Sequence, residues 1–215
     1  MMTRSALAVL STAFLLTAAP LAAQSVAGGT ASASSTKGFF LGAHLNGSAI
    51  SAEDLSDDVE SGGGFGVRLG YGFTPRLALV LDGTGAIINS TDDEYTLAHF
   101  DVALRYAFTG ATRRFVPFLE AGFSGRAAGA DDVTLYLDDG SQTTGDLTIS
   151  GTGLTLGAGA QYYVSPKVAL GLGLKWTTGE FSTVKFDNVS VDGLEIDATS
   201  TRLNLGVTWY PMAGR

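Results

Sequence analysis

The stretch GGGFGVRLGYGF, from Gly62 to Phe73, alternates without a fault. Phe65, Val67, Leu69, Tyr71 and Phe73 fall on one face of an extended chain, and Gly64, Gly66, Arg68, Gly70 and Gly72 on the other. A helix would scatter these residues around its axis, whereas a β-strand sorts them. The period recurs in eight segments, near 38 to 48, 62 to 73, 76 to 88, 95 to 108, 115 to 127, 148 to 164, 167 to 179 and 198 to 210, and helical periodicity is absent after the first two dozen residues. Short connections sit at Thr74-Pro75-Arg76, Thr109 to Arg114 and Ser165-Pro166-Lys167; long ones run about 49 to 61, 89 to 94, 128 to 147 and 180 to 197. Tight turns at one end and long loops at the other are the layout of an up-and-down barrel inserted from one side. The expected fold is all-β, an eight-stranded antiparallel up-and-down transmembrane β-barrel.

Alternation alone does not separate a soluble barrel that is apolar within from a membrane barrel that is apolar without, but charge placement does. Of 21 acidic residues, 18 lie in the four long connections, and the other three, Asp82, Asp101 and Glu120, lie on the small, polar face of their strands. Arg68, Arg105, Arg126, Lys175 and Arg202 share that face, while Lys37, Arg76, Arg113, Arg114, Lys167 and Arg215 sit at the short-turn end. The apolar face therefore carries no charge. Surfaces in water carry roughly 25 to 35% charged residues, so lipid is the medium that suits this one. Phe39, Phe73, Tyr106, Phe108, Phe115, Tyr162 and Trp209 collect near the short turns, as an interfacial girdle would.

The chain opens with Arg4, an apolar run from Ala6 to Ala18, Pro20 and the small residues Ala22 and Ala23. That run is shorter than the ~20 residues of a spanning helix, and its order is that of a secretory signal cut near Ala23 or Gln24. The expected organisation is a signal peptide at 1–23, a flexible Ser/Ala/Gly-rich leader at 24–37, an outer-membrane barrel at 38–211 and a short tail at 212–215. Cysteine is absent, which excludes disulfides, thiolate metal sites and cysteine nucleophiles. After the signal is removed, 12 cations face 21 carboxylates and leave a net charge of −9, so nucleic acid is not an expected partner.

The glycine-rich second strand with FTPRLAL after it, the later YVSPKVALGLGLKW and the closing STRLNLGVTWY resemble the OmpA/OmpX-like family of small outer-membrane β-barrels, the porin-family type with eight strands, over about residues 38 to 210. The resemblance implies an outer-membrane location and recognition of the last strand by the outer-membrane assembly machinery. In the family that strand usually ends in an aromatic residue; here Tyr210 is followed by Pro211-Met212-Ala213-Gly214-Arg215. The fold serves adhesion, lipid modification and structural roles alike.

Eight inward charges are the candidate site: Arg68, Asp82, Asp101, Arg105, Glu120, Arg126, Lys175 and Arg202. An eight-stranded barrel is just wide enough for side chains to fill it, so unpaired charges would be costly there and an interdigitated network is expected. His44 and His99 also face inward. His99 beside Asp101 suggests the histidine and carboxylate of a lipid A-modifying enzyme, but no motif places a serine with them. The acidic pairs Asp57-Asp58, Asp92-Asp93, Asp131-Asp132 and Asp138-Asp139 lack EF-hand spacing. The leading expectation is a monomeric, non-enzymatic barrel with no cofactor or metal site, its lumen largely plugged. Its acidic extracellular loops would meet outer-membrane lipids and lipopolysaccharide, with loosely bridging divalent cations. A narrow porin-like channel is the alternative, and a lipid A-modifying enzyme the third reading.

Overall fold

The computed structural model describes residues 37–52, 59–89, 94–108, 114–136, 142–187 and 189–212, apart from the side chains of 52, 131, 132, 135, 136 and 194. The expected signal peptide, residues 24–36 of the leader, residues 213–215 of the tail and the pairs Asp57-Asp58, Asp92-Asp93 and Asp138-Asp139 lie outside these residues. Eight strands follow one another as β1 (Gly38–Ala52), β2 (Glu60–Gly72), β3 (Leu77–Asn89), β4 (Glu94–Ala107), β5 (Phe115–Tyr136), β6 (Gln142–Ser165), β7 (Val168–Phe186) and β8 (Val189–Trp209). Each pairs antiparallel with the next, and β1 pairs with β8, so the sheet closes on itself.

The polar face is the inner one. Residues of the alternate, apolar set remain exposed on the outside, from Phe65, Val67 and Leu69 to Leu104, Leu170, Leu172 and Leu205. Glycine lets the inner face hold bulky groups: a Cβ on Gly70 would run into the Phe40 ring, which lies across it. The expected aromatics at the short turns all point outward, and they touch edge to face, Phe39 with Tyr71 at 5.0 Å and Tyr106 with Phe108 at 5.5 Å between ring centres.

A second aromatic level lies higher on the barrel wall. Phe65, Phe100, Phe123 and Trp176 are exposed seven or eight residues up their strands, about 20 Å above the short turns at ~3.3 Å per residue and the usual tilt. On β7 and β8 the outward positions above this level turn small or polar, as in Trp176, Thr178, Glu180 and in Leu203, Thr201, Thr199, Asp197. The outer edge of the apolar band lies there.

The connections expected at 128 to 147 and 180 to 197 are mostly strand. β1 to β4 are 13 to 15 residues long, but β5 to β8 run 19 to 24 and continue past that edge. β5 stays paired with β6 out to Tyr136 and Gln142, and β7 with β8 out to Phe186 and Val189, whereas β8 leaves β1 at Ala198. Four strands thus form a sheet projecting from one side of the rim. Its alternation, Val184 and Phe186 against Val189 and Val191, flanks Asp187, whose φ of 49° is the left-handed conformation that Asp tolerates in tight turns. Interspersed acids hide that pattern in a hydrophobicity count.

Among the described residues two apolar clusters lie inside the barrel. One, at the short-turn end, contains Phe40, Val80, Val116, Tyr163 and Tyr210. The other, at the long-strand end, contains Ile50, Ile88, Leu97, Phe181 and Ile196, with Tyr95 and Ile149 packed against it.

Candidate functional site

The ladder register builds a charged belt between these clusters. Arg68 on β2 stands directly opposite Asp82 on β3, Asp82 opposite Asp101 on β4, Arg105 on β4 opposite Glu120 on β5, and Lys175 on β7 opposite Arg202 on β8. All except Arg68, whose side chain is 12% exposed, are buried. Placing Asp82 beside Asp101 sets like charges on adjacent strands, and cations reaching across the lumen offset this. Lys175 Nζ lies 2.7 Å from Asp101, 3.3 Å from Asp82 and 3.8 Å from Glu120. Gly157 lies beside this approach, and a Cβ there would sit 3.3 Å from both side chains and crowd them.

Every carboxylate of the belt has an arginine as well. Arg68 Nε donates to Asp82 at 2.6 Å and Arg105 Nε to Glu120 at 2.6 Å. Arg202, fully buried, spans the lumen: Nη1 lies 3.0 Å from Asp101 and donates to Thr84 at 3.1 Å, while Nη2 donates to Thr177 at 2.9 Å and Asp101 at 3.1 Å. Ser124 donates to Asp101 at 2.6 Å. Charge-assisted bonds of this density repay part of the desolvation of the ions, and removing one partner leaves the others uncompensated.

Seven of the eight candidate charges are thereby brought together. Arg126 stands apart from them: it has no ion pair among the described residues, its Nη1 donates to the Ala198 carbonyl at 3.0 Å, and its guanidinium lies 4.9 Å from the centre of the Phe181 ring. It belongs to the outer apolar cluster's edge rather than to the ion-pair network. Arg105 has the corresponding place at the other end, 4.3 Å from the Phe118 ring centre.

The serine missing from the sequence motifs is Ser200. His99 Nε2 and Ser200 Oγ are 3.0 Å apart across 101 residues of chain, a proximity that only barrel closure creates. Ser200 is fully buried in the lumen, away from lipid and from the outside. His44 Nε2 lies 3.5 Å from Asp82 Oδ1, neither atom is hydrogen-bonded, and His44 lines a cavity with Arg68, Gln161 and Asn204 that has room for about one water. Among the described residues no three His, Asp or Glu side chains converge as a metal site. The described acids of the outer rim, such as Glu94, Asp146, Glu180, Asp192 and Asp197, are exposed and spread along strand ends.

A closed eight-stranded barrel with an apolar exterior, aromatic levels and a charged interior defines a small outer-membrane barrel. The chain belongs to the outer membrane protein beta-barrel domain family, whose model matches residues 10–209, and its place is the outer membrane. No curated protein matches it. Among solved structures, Neisserial surface protein A is similar at 20% identity and a TM-score of 0.58, over 80% of this chain and 97% of that one. OprG from Pseudomonas aeruginosa is similar at 10% identity and 0.53, over 82% and 97%. AlkL, solved in DMPC lipid bilayers, is similar at 14% and 0.50, over 83% and 92%. At these identities the likeness is one of fold.

Proposed function

We propose that this protein is a closed, structural barrel that braces the outer membrane and presents an acidic rim to the outside. What supports the reading is the order of layers in the lumen: an apolar cluster, a cross-linked belt of seven charges, and a second apolar cluster, in a barrel whose width side chains alone can fill. In favour of the narrow-channel alternative stands the water-sized cavity beside His44. The enzyme reading is the weakest, because an acyl chain or peptide has no approach to a serine enclosed with His99 in the lumen.

The partners that fit are lipid on the apolar wall, the assembly machinery at β8, and lipopolysaccharide phosphates bridged to rim carboxylates by divalent cations, with the barrel acting as a monomer. A strain lacking the protein should become more sensitive to bulky detergents, increasingly so as Mg²⁺ is lowered, and the full-length chain should restore resistance. Unchanged sensitivity at every Mg²⁺ level would contradict the role.

A further inference from the structure

Arg126 is the one inward cation without a counter-ion among the described residues. Its residue is 3% exposed, and Nε and Nη2 have no hydrogen-bond partner. These two N–H groups form the side-on edge of the guanidinium, where they point the same way as a ready-made fork for an anion. The surroundings are rich in donors. Thr84, His99 and Arg126 are successive partners across β3, β4 and β5, and the Arg202 head reaches this row through Thr84, with its own Nε unpartnered. Ser200 completes the row through His99. Among the described residues of the lumen five cations face three carboxylates, and Lys175, Arg68, Arg105 and Arg202 already hold all three.

We infer that the row of Arg126, His99 and Arg202 binds a small monovalent inorganic anion of halide size, held on the Nε/Nη2 edge of Arg126. An arginine does not shed its proton to relieve burial, so its charge persists and a bound anion balances it. The burial and the Phe181 ring against Arg126 favour a weakly hydrated monovalent ion over sulfate or phosphate, whose second charge the single unpaired guanidinium would not balance. The site is independent of the structural role proposed above.

The test uses refolded full-length protein at fixed ionic strength, with bromide, chloride, fluoride or gluconate as the sodium salt. The urea midpoint should rise saturably with chloride and bromide and stay level with gluconate, by the linkage of a ligand bound only to the folded state. The Arg126→Met variant should lose this dependence and, without halide, be at least as stable as the parent, because it removes an uncompensated charge. Wild-type crystals soaked in bromide should show an anomalous peak against Arg126 Nε, a readout that survives failure of the variant to fold. Equal midpoints in halide and gluconate, with no bromide peak, would mean that water alone fills the site and would overturn the inference.

Discussion

Within the bilayer the strands of β5 to β8 place apolar residues outward and polar ones inward; above it the same strands do the reverse. Ile149 packs inward against the outer apolar cluster; its ladder partner Val184, and Val191 opposite Val184, share that face with Leu147, Phe186 and Val189. Thr148, Lys185 and Ser190 occupy the opposite, outward face. The period of two comes from strand geometry and persists throughout, whereas the polarity of each face follows the medium it meets. Lipid demands an apolar exterior over the lower part, and water demands a polar one over the projection.

The largest effect expected from disturbing this arrangement is in the belt. Asp101→Ala removes the shared acceptor of Lys175, Arg202 and Ser124 and should lower folding stability by about 3 to 5 kcal/mol, read from urea-dependent folding into vesicles. Glu120→Ala should cost about 3 kcal/mol because it strands Arg105, while the paired change Arg105→Met with Glu120→Leu should recover most of that loss. No loss in either single variant would point to a hydrated lumen.

Charge on the lipid face comes next. Leu205→Arg should cost about 2 to 4 kcal/mol, as cations near the bilayer midplane do. Ser190→Glu, on the outward face of the projection and opposite Lys185, should change stability by less than about 0.5 kcal/mol. Equal costs at the two positions would remove the distinction between the two regions. The projection itself should matter as little: replacing residues 184 to 191 with a short turn should change folding stability by less than about 0.5 kcal/mol, because Phe181 and Ile196 of the outer apolar cluster stay in place and the β8–β1 ladder ends at Ala198 and Ala52.

Much of this was legible in the sequence, for reasons that can be located. Alternation in Gly62 to Phe73 fixes which side chains share a face, and the charge on one face only decides which medium each face meets. Register is a different matter: nothing in the chain between Asp82 and Asp101 says that they stand side by side, or that Lys175 bridges them, because neighbouring strands slide by units that alternation does not encode. Arg126 lies on the same face as Arg105 and Arg202, so only its level, beside Phe181, separates it from the belt. Ser200 was hidden because barrel closure alone brings it to His99. The projecting strands look like loops in the sequence because acids such as Asp146, Asp192 and Asp197 break the apolar count where no lipid enforces it.

Conductance tests the closed-lumen account most directly. The account predicts that purified, refolded protein inserted in a planar bilayer carries no stable large current, with at most small and rare openings, since Phe40, Phe118 and Tyr163 fill one end and Ile88, Leu97 and Phe181 the other around a cross-linked middle. Reproducible channels on the nanosiemens scale would contradict it, and would require the belt to part under conditions in which the barrel stays folded.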